Sequence, residues 1–225
     1  MRCHGDDLGG KMFINDPRKL GQFAATNLTP GKGGFSPGNG YRNWVLALKH
    51  GVRDNRKPLF VMPSHEFTQL TEADMAAIIA YGASLPKVDR ELPESRVGPL
   101  GRILAELNQV PLFPAEMIDH NRKLVKEMKT EVSLGYGQYL SVACQACHRP
   151  TMKGGGPIAP GFPTVPDISS QGNPGKWTDE QFMTTLRTGK TPEGKTMNPK
   201  NMPWPTMKVY TDTELKALHL YLKSK

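Results

Sequence analysis

Apolar residues fall at helical spacing in two stretches that resemble each other. In Thr71–Tyr81, Met75, Ile78 and Ile79 recur at i, i+3, i+4; in Thr211–Tyr221, Leu215, Leu218 and Tyr221 with Leu222 do the same. Each stretch opens on a Thr with an acidic residue three positions later, the pattern of a capping box. Each predicted helix also follows a Met-Pro pair, Met62-Pro63 and Met202-Pro203. Earlier segments line up at a similar offset of about 140 residues: Cys3-His4 with Cys147-His148, Asn27-Leu28-Thr29 with Asp167-Ile168-Ser169, and Trp44–Gly51 with Phe182–Gly189. The same element order therefore occurs twice: Cys-His, loop, short helix ending in Gly, Met-Pro loop, capped helix with a Tyr. No strand pattern of any length is found. The predicted fold class is all-α and loop-rich, with two small tandem domains at 1–92 and 133–225 and a linker at 93–132.

Within the linker, Pro99–Leu107 reads as a short helix and Val110–Pro114 as an extended apolar piece packed on a domain. The highly charged Arg122–Glu131 reads as solvated, and Gly135–Ala143 begins a helix leading into the second Cys site. The Gly-rich stretch Gly31–Gly40 lacks the Gly-Lys-Ser/Thr ending of a phosphate loop and reads as plain loop.

Cys144-Gln145-Ala146-Cys147-His148 carries the most specific chemistry in the chain. Covalent haem attachment needs two thiols spaced to reach two vinyl groups, and a His after the second thiol to present an imidazole to the iron; this spacing meets both needs. A second axial ligand is then required. A Met thioether stabilises ferrous iron and raises the potential. Met202, 54 residues after His148 and followed by Pro, is the candidate, with Met197 the runner-up; Met207 lies too close to the last helix. In the first copy, Cys3 and His4 are the end of the same motif and Met62 is the matching Met. The first Cys of that motif would stand just before Met1, so the natural chain is expected to read Cys-Met-Arg-Cys-His, with Met1 internal to a longer protein. His65 could compete for that iron; His50, His120 and His219 show no such context and read as surface or core residues.

Composition sharpens this picture in two places. At 37% hydrophobic, with 23 Gly and 20 Pro in 225 residues, the chain is poor in side chains for a core. A buried prosthetic group would supply the missing apolar mass, although a loop-rich domain has the same composition. The net charge of +8 is spread over both halves and favours acidic partners or an anionic membrane surface. No basic stripe with interleaved aromatics points to nucleic acid. Three cysteines exclude a purely paired disulfide framework. No apolar run reaches the length of a membrane-spanning helix, and no signal peptide is present.

Together these residues make the chain resemble the bacterial di-haem c-type cytochromes built from two class I domains. It is similar to the cytochrome subunits that accompany membrane-bound alcohol and sugar-acid dehydrogenases. The resemblance rests on Cys144–His148, Asn27–Pro30, Trp177–Glu180, His50–Val52, Met62–Ser64, Met202–Trp204, and Tyr81 with Tyr221. It implies one His/Met haem c per domain, two in the natural protein, with one complete site in this chain. It also implies electron transfer without catalytic residues, with a dehydrogenase, oxidase or another cytochrome as redox partner. Export to the periplasm or the outer membrane face follows too, with an N-terminal signal or anchor missing here. The sequence departs from the family where the first Cys and the helix before Cys3 are absent, and where Gly82 replaces a helix-favouring residue. Two rival readings remain: a di-haem peroxidase using His65, and a zinc module built from Cys3, Cys144, Cys147 and a His.

Overall fold

A computed structural model describes residues 3–35, 40–107, 109–110, 112–158 and 161–225. Met1 and the middle of the Gly31–Gly40 stretch lie outside the described residues. The chain divides into two compact units, Met1–Glu127 and Met128–Lys225.

The first unit begins with a feature that corrects the expectation of an all-α fold. β1 (Lys11–Asp16) and β2 (Gly21–Ala25) form an antiparallel hairpin, and β3 (Arg96–Val97) pairs with the other edge of β2. The register runs from Lys11 opposite Ala25 to Asp16 opposite Gly21, with an irregularity between Met12 and Ile14. Asp16-Pro17-Arg18-Lys19 closes the turn, the Lys19 N–H donating to the Asp16 carbonyl at 3.1 Å. Gly21, Phe23 and Ala25 face inward in strict alternation. Two of the three are too small to register as a hydrophobic pattern, and the bulge breaks the alternation in β1. That is why the strands escaped a reading by periodicity.

Four helices follow around this sheet: α1 (Gly40–His50), α2 (Ser64–Phe67), α3 (Glu72–Ser84) and α4 (Pro99–Glu106). Trp44 and Leu48 of α1 pack on Met75 and Ile79 of α3 to form the core. Thr71 Oγ1 accepts the Asp74 N–H at 3.0 Å and caps α3. Two more first-turn donors of α3, the N–H groups of Glu72 and Ala73, reach the carbonyls of Val125 and Lys126. The charged stretch read as merely solvated thus straps the end of a helix, with Leu124 against the core. A 3-10 turn at Pro114–Met117 lies beside α2.

The second unit is built on α5 (Leu134–His148) crossing α8 (Asp212–Lys223). At the crossing, Gly137 lies so close to α8 that a Cβ there would stand 2.0 Å from the Ala217 carbonyl oxygen. Between them come α6 (Asn173–Lys176), α7 (Asp179–Thr188) and a 3-10 turn at Trp204–Val209. Thr178 with Gln181 and Thr211 with Glu214 form complete capping boxes at α7 and α8. Gly189, at φ 75°, ends α7 in the left-handed conformation that glycine adopts without strain. Met152, Trp177, Phe182, Met183, Leu186, Leu215, Leu218, Tyr221 and Leu222 form the core. Among the described residues no helix is long and apolar enough to cross a membrane.

Candidate functional site

The C-terminal turn of α5 carries Cys144, Cys147 and His148. Three residues on a helix is close to one turn, so the two thiols share a face. Both cysteines are half-buried, neither is in a disulfide, and Cys144 packs against the core. His148 is the last residue of the helix and is buried. Its Nδ1 lies 3.0 Å from the carbonyl oxygen of Pro166. A carbonyl only accepts, so Nδ1 carries the proton and Nε2 keeps its lone pair for a ligand bond. Burial pushes the imidazole below the usual His range, which favours this neutral form.

The loop that supplies Pro166 is itself fixed. Asp167 Oδ1 accepts the Ser169 N–H at 2.7 Å, and the hydrogen bonds from Ser169 hold the Asp167 carboxyl below the usual carboxylate range. The Ile168 N–H donates to Met152, whose φ of 61° is left-handed. Met202 lies half-buried against the same core as Cys144, just before the 3-10 turn. The backbone of Met197 is fixed on both sides: its N–H donates to Gly189 O at 2.7 Å and its carbonyl accepts Trp204 Nε1 at 3.1 Å. Met207 also packs on the core. A buried neutral imidazole with a free nitrogen, two thiols on the same turn, and a thioether on the same core form a donor set that fits a covalently held haem.

The first unit repeats much of this geometry around His4. His4 Nδ1 lies 2.7 Å from the Thr26 carbonyl, the residue before Asn27, as Pro166 precedes Asp167. Asn27 Oδ1 accepts the Thr29 N–H at 2.9 Å, matching Asp167 and Ser169. The Gly10 N–H donates to His4 and the Gly154 N–H to His148. Leu28 donates to Leu8 and Ile168 to Met152, at 2.9 Å in each case, and Leu8 shares the left-handed backbone of Met152. The Ser64 N–H reaches Met62 O and the Trp204 N–H reaches Met202 O, both at 2.7 Å. The hairpin of β1 and β2 occupies the place of a single bridge, Gly155 with Val165, in the second unit. Burial lowers the His4 imidazole as it does His148. Met62 packs against the Trp44 core, while Cys3 is exposed. His65 lies in α2, with a buried Nδ1 that has no hydrogen-bond partner.

No group of three or more His, Cys, Asp or Glu side chains is placed to hold a metal ion among the described residues. Sequence reasoning missed one pairing: His50 and His120, 70 positions apart, place their Nδ1 atoms 3.2 Å from each other. Nothing in a linear pattern signals that contact.

The cytochrome c family model matches residues 132–225. The whole chain is similar to the cytochrome c subunit of the quinone alcohol dehydrogenase of Gluconacetobacter polyoxogenes. That match is 26% identical and covers 98% of this chain and 51% of the relative. The fructose dehydrogenase cytochrome subunit of Gluconobacter japonicus is also 26% identical, over 99% of this chain and 49% of its own. The gluconate 2-dehydrogenase cytochrome c subunit of Pantoea cypripedii is 33% identical over 44% of this chain and 24% of its own. The chain thus spans about half the length of the curated relatives it matches over its full extent. Residues 132–225 are a cytochrome c domain, the kind that carries covalently bound haem c, and the chain is homologous to cytochrome c subunits of dehydrogenases.

Proposed function

We propose that this chain transfers electrons through two class I cytochrome c domains, serving a dehydrogenase at the periplasmic side of the cytoplasmic membrane. In the second domain Cys144 and Cys147 form the thioether links, and His148 and Met202 are the axial ligands. In the first, His4 and Met62 are the ligands and Cys3 is one of the linking thiols. Bound haem c supplies a reversible one-electron change at iron. The residues around it set its potential and shield it. The Pro166 carbonyl fixes the ring of His148 and raises the basicity of Nε2, as outer hydrogen bonds do for ligating imidazoles. The Met202 thioether, a soft and weak donor, favours the reduced ion. Half-burial of Met202 and Cys144 against the core limits water at the site.

The hydrogen bond from buried His148 to Pro166, on the helix turn that bears both thiols, carries this reading. Its counterpart between His4 and Thr26 supports the second domain. The names of the relatives support a dehydrogenase as donor, and the net charge of +8 suits an acidic docking face. The test is a reduced-minus-oxidised spectrum with haem quantified per chain, on protein made with a c-haem maturation system. Two haems per chain are expected. One haem confines the reading to residues 132–225, and none overturns it. Cys144→Ser with Cys147→Ser removes one haem per chain, and Met202→Leu lowers the potential of one haem while leaving its covalent attachment intact.

A further inference from the structure

We propose that His50 and His120 form a two-imidazole site for a divalent first-row transition-metal ion, separate from the haem ligands. Their Nδ1 atoms face each other at 3.2 Å, with the rings 5.4 Å apart between centroids and inclined by 23°. Imidazole nitrogens bind zinc at about 2.05 Å, so two of them 3.2 Å apart meet the ion at an angle of about 103°, close to tetrahedral. Without metal, the pair makes a single bond, one Nδ1–H donating to the other Nδ1. With metal, that proton moves to Nε2 of its own ring, and both Nδ1 lone pairs turn to the ion. A neutral pair therefore binds the cation without releasing a proton.

The spacing is set by the scaffold rather than by the histidines. His50 is the last residue of α1. Gly51 follows at φ 65°, and a Cβ there would lie 3.3 Å from the Ala115 Cα in the 3-10 turn. The Val61 N–H donates to the Leu112 carbonyl at 3.1 Å, and Phe60 packs on Phe113, tying the two segments together beside the pair. Ile118, two residues before His120, is buried. The two donors are thus held at the bite a metal needs, which lowers the ordering cost of binding. His50 is half-buried and His120 exposed, so water can fill the remaining positions. Lys49 lies next to His50 in the chain, and Asp119, next to His120, accepts the Asn121 N–H at 3.0 Å.

The haem-loaded full chain, with any unlinked thiol blocked by N-ethylmaleimide, is titrated with zinc by calorimetry and by equilibrium dialysis. One zinc per chain is expected. His50→Ala and His120→Ala each weaken uptake at least about tenfold, about 1.4 kcal/mol, and the double variant is no weaker than the singles. No uptake, or unchanged uptake in both single variants, overturns the proposal. A measurement on the unaltered chain covers the case of a variant that fails to fold. Saturating zinc must slow modification of His50 and His120 by diethylpyrocarbonate, mapped by mass spectrometry; unchanged rates at both histidines overturn the proposal equally.

Discussion

His148, His4 and His219 differ by what their nitrogens meet. His148 and His4 each give one nitrogen to a backbone carbonyl and keep the other. His219 keeps none: Nδ1 lies 2.7 Å from Asp179 Oδ1 and Nε2 lies 2.8 Å from the Pro174 carbonyl, with Phe182 stacked on the ring at 4.4 Å. Fully buried, it pins α8 to α6 and α7. His219→Phe removes both bonds and strands the Pro174 carbonyl. The expected cost is about 2–3 kcal/mol in a urea denaturation curve, without loss of haem. At the surface of the first unit, Arg90 pairs with Asp7 at 2.8 Å, and its guanidinium holds the Asp7 carboxyl below the usual carboxylate range. A carboxylate lowered in the folded state stabilises above its ordinary value of 3.8 and loses that contribution as pH falls through the lowered value. Asp7→Asn is therefore less stable than the parent at neutral pH, and the gap closes on acidification. A gap that stays constant down to about pH 2 counts against the pairing.

At the scale of elements, close helix approaches are made by glycine. In α5, Gly135 has open space around it, whereas Gly137 is pressed against the Ala217 carbonyl. Alanine favours a helix over glycine by up to about 1 kcal/mol. Gly135→Ala is thus expected to raise stability by up to that amount. Gly137→Ala gains the same propensity but forces α5 off α8, and overpacking of about 1–3 kcal/mol or more outweighs it. Thermal unfolding of the two variants should move in opposite directions. The same contact logic accounts for Gly82, which departs from a helix-favouring residue: a Cβ there would stand 2.3 Å from Trp44 Cζ2.

Across the whole molecule, the two units share a register of turns yet differ in what covers the last capped helix. Tyr221 of α8 is buried, 6% exposed, in a unit whose main packing is α5 on α8. Its counterpart Tyr81 on α3 is 63% exposed, and among the described residues no helix packs along α3 as α5 does along α8. The first unit instead covers the start of α3 with Leu124–Lys126 and adds a sheet. Residues 128–225 contain every group assigned to the second haem site. Made alone with c-haem maturation, this fragment is expected to hold one covalent haem and to unfold in one cooperative step. A fragment that keeps no haem would mean that the site needs the first unit.

The helices and their caps were legible because they depend on neighbours in sequence. Thr71 and Thr211 reach the third residue of their own helices, and Cys144, Cys147 and His148 share one helical turn. The hairpin was not legible, since a bulge and small residues at Gly21 and Ala25 erase the alternation that periodicity detects. Nor was the partner of each imidazole: the Pro166 carbonyl is 18 residues from His148, and the Thr26 carbonyl is 22 from His4. A motif names the residues able to bind iron, whereas the loop that returns to the imidazole decides which nitrogen is free. The meeting of His50 with His120 likewise belongs to the tertiary structure alone, because close approach at Gly51 and Ala115 sets it and no local preference does.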